Sequence, residues 1–288
     1  LTVLGAILAL LLGPESLYNL GVHWIPNMIF FVIFLIFSMS FFGMFEIKMP
    51  EKWINKSDEQ ADKGGFLRRV SLVKSLRREH DGLLLLDCGD FSQGSVYYNL
   101  FHGEVEVKLM NEMGYDACTI GNHEFDSGLE NMARLFRMAQ FPVVCCNYDF
   151  TGTPCEGLVK PYLIIERAGV RVGIFGVSPR MEGLVQKRNY QGVSYTTPIE
   201  AAQPVVDILR GQEHCDIVVC LSHLGLGESE ERDLGFIRGT RGIDVVLGGH
   251  THSYLEHPRY VQDMDGHEVV LDHMGKNARF VGTVDLTL

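Results

Sequence analysis

The stretch "DACTIGNHEFDSG", residues 116–128, joins a short apolar run to a loop that crowds Gly121, Asn122, His123, Glu124 and Asp126 together. A reverse turn needs only the glycine and the asparagine. Working outward, the same design recurs along the chain. Behind "LLLLDC" (83–88) come Gly89 and Asp90; behind "DIVVCLS" (216–222) comes His223; behind "IDVVLG" (243–248) comes "GHTH" (249–252) with His250 and His252. Four apolar runs of strand length each deliver a ligand-type residue at their carboxyl end, where open α/β sheets place their sites. Parallel pairing brings these ends together although Asp90 and His252 lie 162 residues apart.

Helical patterns alternate with these strands. "GGFLRRVSLVKSLRREH" (64–80) puts Phe66, Val70, Val73 and Leu76 on one side and its arginines mostly on the other; residues 103–113, 127–140, 198–210 and 229–239 also read as helices, with Asp126 or Ser127 capping the second of these four. "PVVCC" (142–146) is a strand, "YLIIERAGVRVGIFGVS" (162–178) is a hairpin turning at Ala168-Gly169, and residues 257–288 are β-rich around an Asp265-Gly266 turn. Strands alternating with helices imply an α/β core whose sheets are covered on their outer faces.

The 288 residues are 46% apolar and 21% charged, the balance of a folded protein, with a net charge of −11. Residues 1–57 hold three basic and three acidic side chains (Lys48, Lys52, Lys56; Glu15, Glu46, Glu51), so the whole charge sits on residues 58–288. An acidic surface argues against a nucleic-acid partner, which needs clustered Lys and Arg. It permits a small anionic substrate where bound metal supplies local positive charge. The seven cysteines are odd in number and form no CxxC, which indicates neither a disulfide framework nor a zinc ribbon.

Carboxylate, amide oxygen and imidazole together suit Mn, Fe or Zn, and Mg remains admissible; the cysteines near the motifs, such as Cys88 and Cys118, sit inside apolar runs and read as buried thiols, which counts against a structural zinc. A bridging carboxylate holds two ions roughly 3.5–4 Å apart, an arrangement that activates a water and clamps phosphoryl oxygens. Asp90 is the natural bridge. His123 suits a general acid that protonates a leaving oxygen, oriented by Asp126, better than it suits a ligand. Singly, each motif has a plainer reading as turn, core histidine or polar loop; it is the four loaded strand ends together that point to a site. His102, His214, His257, His267 and His273 lack such company and read as ordinary, and Tyr97, Tyr98 and Glu124 are assigned no chemistry.

Gly-Asp, "GNHE", an isolated histidine and "GHTH", in that order on an α/β chain, resemble the calcineurin-like metallophosphoesterases, and "GNHEFDSGLENM" with "VLGGHTHS" resembles their 5′-nucleotidase branch. The resemblance covers residues 62–288. It implies a four-layer αββα sandwich and hydrolysis of phosphomonoesters, nucleotides foremost, with two divalent metal ions. By motif position it implies that Asp90 bridges, that Asn122, His223 and His250 complete one metal site, that His252 serves the other, and that His123 and Asp126 are the catalytic pair. The family's first strand carries an Asp-x-His pair. Before Asp62 this chain has only Asp58 and His23, and Asp265-Gly266-His267 is better read as the hairpin turn. The fold is therefore expected to lack its first strand and one metal site to be incomplete. An alternative follows: a membrane-anchored, catalytically impaired domain.

Residues 25–45, "IPNMIFFVIFLIFSMSFFGMF", are uncharged and long enough to cross a bilayer as a helix, and residues 1–12 are a second apolar run. Residues 1–57 are accordingly read as a membrane segment, 58–65 as a linker and 66–288 as the phosphoesterase domain. "IFSMSFFGMFEIKMPEKW" resembles the membrane domain of DsbD-type thiol–disulfide carriers, grouped with cytochrome c biogenesis proteins, without the membrane cysteines of that family. The basic residues follow the apolar run, which favours a cytoplasmic domain, whereas the 5′-nucleotidase resemblance implies a periplasmic or exported one.

Overall fold

The computed structural model describes residues 66–286, together with Met28. The chain divides into two units, Leu1–Gln60 and Ala61–Leu288, and the second carries everything below. Apart from Met28, the expected membrane helix at 25–45 and the apolar run 1–12 lie outside the described residues. Among the described residues no helix is long and apolar enough to cross a membrane.

Two sheets form the centre. The first comprises β1 (Leu86–Asp87), β2 (Ala117–Cys118), β3 (Val143–Val144) and β5 (Val159–Lys160), in that order and all parallel. The second contains β6 (Tyr162–Arg167), β7 (Val170–Val177), β9 (Ile217–Ser222), β10 (Val245–Gly248), β11 (Arg259–Gln262) and β12 (Glu268–His273). Its order is β11-β12-β10-β9-β7-β6, parallel through β12, β10, β9 and β7 and antiparallel at both edges. A small antiparallel pair joins β4 (Tyr148–Asp149) to β8 (Ser194–Tyr195). The expected hairpin at 162–178 forms, and Ala168 and Gly169 both take positive φ at its turn (50° and 82°).

Alternation along the strands explains the layers. Val172 and Ile174 of β7, Ile217, Val219 and Leu221 of β9, and Val245 of β10 face Ala117 and Val144 of the first sheet in one apolar layer. The intervening residues, Phe175, Val177, Val218, Cys220 and Val246, pack outward with residues of α5 (Pro198–Gly211) and α6 (Asp233–Arg238). On the other side, α1 (Phe66–Glu79), α3 (Glu104–Met113) and α4 (Gly128–Met138) cover the first sheet through Val73, Val107, Met110, Met132 and Phe136. A period-two pattern with both faces apolar can bury itself only in this way, between a second sheet and a layer of helices. The first sheet's strands are two residues long. Side-chain burial, about 1.5–3 kcal/mol for each fully buried Leu, Ile or Val, holds them more than their short ladders do.

The sequence pattern did not indicate α2 (Val96–Phe101), β5 or the two strands of the small sheet. The helix expected at 229–239 is shorter, Asp233–Arg238. The expected β-rich end forms over β11 and β12, an antiparallel pair about the Asp265-Gly266 turn, but residues 279–286 form no strand; an alternating segment becomes a strand only where an edge completes its ladder, and none does so among the described residues. All seven cysteines are free thiols.

The sheets approach closely at Gly176, whose added Cβ would overlap Thr119 Oγ1 and the carbonyl oxygen of Val144. Thr119 donates to that same carbonyl at 2.8 Å, and Cys146 N–H donates to Gly176 O at 2.9 Å. Gly176→Ala must push the sheets apart against backbone, so a loss of about 3 kcal/mol, the upper end for overpacking, is expected in a urea melt. A midpoint equal to that of the parent would contradict this contact.

Candidate metal and phosphate site

The carboxyl ends of β1 and β2 in one sheet meet those of β9 and β10 in the other. Ligand atoms of Asp90, His223 and His250 all lie within 4.8 Å of one another, and the two imidazole centroids are 5.2 Å apart. Asp90, His250 and His252 adopt left-handed backbone conformations, with φ of 61°, 66° and 56°. For such residues that conformation costs roughly 1–2 kcal/mol and persists where surrounding structure enforces it. Gly121 makes room for the first of them: a Cβ there would run into the Asp90 carboxylate and amide nitrogen.

Each atom of the cluster can be followed. Asp90 Oδ1 accepts the His123 N–H at 2.8 Å, and Asp90 Oδ2 stands 2.9 Å from His223 Nε2. His223 Nδ1 donates to the Cys88 carbonyl at 2.5 Å, which leaves the lone pair of Nε2 facing Asp90. Although close, Nε2 makes no hydrogen bond of acceptable geometry, and neither does Asn122 Oδ1; both atoms are buried. An orphaned imidazole nitrogen beside a carboxylate oxygen suits a bound cation, and the equally unpaired Asn122 oxygen, one residue before the His123 that bonds Asp90, is a further candidate ligand.

Electrostatics agree. Burial would raise the Asp90 carboxyl, but His223 and the His123 N–H outweigh it and hold it below the ordinary range. Burial likewise works to lower His223, and Asp90 together with the Cys88 carbonyl overrides it, so His223 sits above its usual value. Nε2 presents its lone pair to Asp90 only once deprotonated, so a cation binding there competes with a proton for it. His250 is pushed down to about 4 by burial and by the positive field of His223, which keeps its imidazole neutral and able to ligate.

Beside the cluster, His123 Nδ1 lies 2.7 Å from Asp126 Oδ2, in a half-exposed pair whose Nε2 remains available. Asn189 Nδ2 donates to the Asp126 carbonyl at 3.0 Å and steadies it from a separate turn. Ser127 occupies the cap position of α4, but its hydroxyl bonds Tyr98 Oη at 2.9 Å instead of the helix. His252 is exposed and stands outside the three-residue cluster.

Two groups were missed. Glu124 is buried and accepts hydrogen bonds from the N–H groups of Asp90, Ser92 and Gly121; burial and the nearby Asp90 charge push it up to about 7. Its place inside "GNHE" was the only signal. His273 also lies at a strand's carboxyl end, paired in register with Gly248, yet its Nε2 turns to the buried Asp233 at 2.7 Å. Asp233 in turn accepts from Ser222 Oγ at 2.5 Å. This network braces the strand ends that carry His223 and His250.

The family model of the calcineurin-like phosphoesterases matches residues 52–254. This chain belongs to that family. The match begins inside the stretch read as membrane segment and linker. Among relatives of this calcineurin-like phosphoesterase, the snake venom 5′-nucleotidase of Crotalus adamanteus is 31% identical over 240 residues, 77% of this chain and 40% of the relative. The trifunctional nucleotide phosphoesterase protein YfkN of Bacillus subtilis is 26% identical over 265 residues, 81% of this chain and 18% of the relative. The crystal structure of the 5′-nucleotidase precursor from Thermus thermophilus superposes with a TM-score of 0.68 at 32% identity, over 73% of this chain and 43% of that one. The chain spans less than half the length of each of these relatives.

Proposed function

We propose that this chain is a metal-dependent phosphomonoester hydrolase that releases phosphate from nucleotides or similar small phosphates. The observation that carries the reading is the convergence of ligand atoms of Asp90, His223 and His250 within 4.8 Å of one another, with His223 Nε2 buried and unpaired 2.9 Å from Asp90 Oδ2. Asp90, Asn122, His223 and His250 would hold one divalent ion, and Asp90 and His252 would contribute to a second. Such ions, when bound, neutralise phosphoryl charge and lower the pKa of a water.

The chain's own residues handle the rest. As an imidazolium, His123 would give its Nε2 proton to the leaving oxygen while its Nδ1–H stays bonded to Asp126, which orients the ring and steadies its charge. The Cys88 carbonyl holds the His223 ring in one orientation. The relatives' names favour nucleotides among small phosphates. Phosphate release from AMP is expected with Mn²⁺, to vanish under chelator and to return on readdition. No release with any of Mn²⁺, Zn²⁺, Fe²⁺ or Mg²⁺ would end this reading.

The exposure of His252, together with the missing Asp-x-His, favours a second reading: an impaired domain that binds one ion without turnover. Calorimetric titration with Mn²⁺ separates the two. Two tight sites exclude the impaired domain; one tight site without AMP hydrolysis supports it.

A further inference from the structure

We propose that Glu124 is the positioning residue of the metal centre, a buried carboxylate that ties together the loops bearing Asp90 and Asn122 and so aims the Asp90 carboxylate at His223. The proposal rests on the reading of Asp90, Asn122, His223 and His250 as metal ligands. Glu124 Oε2 accepts the N–H groups of Asp90 at 2.8 Å and of Gly121 at 2.6 Å. Its Oε1 accepts the N–H and the hydroxyl of Ser92, both at 3.2 Å. One carboxylate thus gathers donors from the loop after β1 and the loop after β2.

The clamp is reciprocal. Asp90 N–H donates to Glu124, and His123 N–H, one residue earlier in the chain than Glu124, donates back to Asp90 Oδ1 at 2.8 Å. With both its amide and one carboxylate oxygen held, Asp90 keeps its positive φ of 61° and has Oδ2 left over for the cluster. Glu124 itself is 2% exposed, so it meets neither substrate nor solvent and acts only through these loops. Removing it would strand buried N–H donors and free Asp90 to relax toward ordinary φ.

The test is calorimetric titration of the full chain with Mn²⁺, comparing the parent with Glu124→Gln and Glu124→Asp. Gln sets an NH₂ group against N–H donors; Asp keeps the charge but is a methylene too short to span both amides. Mn²⁺ affinity is expected to fall about 10–100-fold in Glu124→Gln, the usual loss when support behind a ligand is removed, and by a smaller factor in Glu124→Asp. Parent-like affinity in folded variants, even with a lowered melting temperature, would reduce Glu124 to a structural role and overturn the proposal. Should Glu124→Gln fail to fold, Glu124→Asp decides by the same criterion. A parent chain that binds no Mn²⁺ brings down the metal centre and this proposal together, whereas a binding parent with unaffected variants brings down this one alone.

Discussion

Asp90→Asn is expected to lose Mn²⁺ binding and phosphate release without losing the fold. The substitution preserves shape and keeps Oδ1 as acceptor for the His123 N–H, the bond seen at 2.8 Å. What changes is the atom facing His223 Nε2. An amide nitrogen there can donate to the orphaned imidazole lone pair, giving it the partner it lacks. At a pH where His223 is neutral the metal-free variant should therefore melt no lower than the metal-free parent, while its Mn²⁺ affinity falls by more than about 100-fold, beyond what residues behind the ligands cost. Calorimetric titration paired with thermal melts reads both. Parent-like Mn²⁺ affinity in Asp90→Asn would remove this carboxylate from the site.

The second large effect separates chemistry from metal binding. His123→Ala keeps the backbone N–H that holds Asp90 and deletes only the imidazole paired with Asp126. Mn²⁺ affinity should stay within about threefold, whereas kcat for AMP should fall by roughly 10²–10⁴, the range for losing a positioned proton donor. The pair is half-exposed, so its deletion creates no buried cavity and should leave the melting temperature near that of the parent. A kcat equal to the parent's would show that the leaving group departs without His123. A matching loss of metal affinity would show that the imidazole is a ligand and not an acid.

Much of the scaffold could be read from residues alone because it is written in local patterns. The apolar alternation in 162–178 and 216–222 becomes β6, β7 and β9, and the turn at Ala168-Gly169 forms where the residues placed it. Helix α2 and the β4–β8 pair were not legible. The β4 and β8 segments are too short to show a period, and they pair only because the surrounding fold brings them together. The terminal segment failed for the opposite reason: it has a strand's pattern, but a strand also needs a neighbouring edge.

The site divides in the same way. The chain by itself determined which residue types stand behind which strands, because a strand followed by glycine and a polar residue is a local statement. It singles out Asp90, Asn122, His123, Asp126, His223, His250 and His252 as candidates. Only the tertiary structure decided which of those ends converge, since β1 and β2 belong to one sheet and β9 and β10 to the other. Their meeting depends on packing across the Gly176 contact and the apolar layer between the sheets. That packing leaves His252 exposed outside the cluster, turns His273 away to Asp233, and places Glu124 beneath Asp90. Where a side chain points is set by backbone conformation and by neighbours distant in sequence, and spacing along the chain carries no record of either.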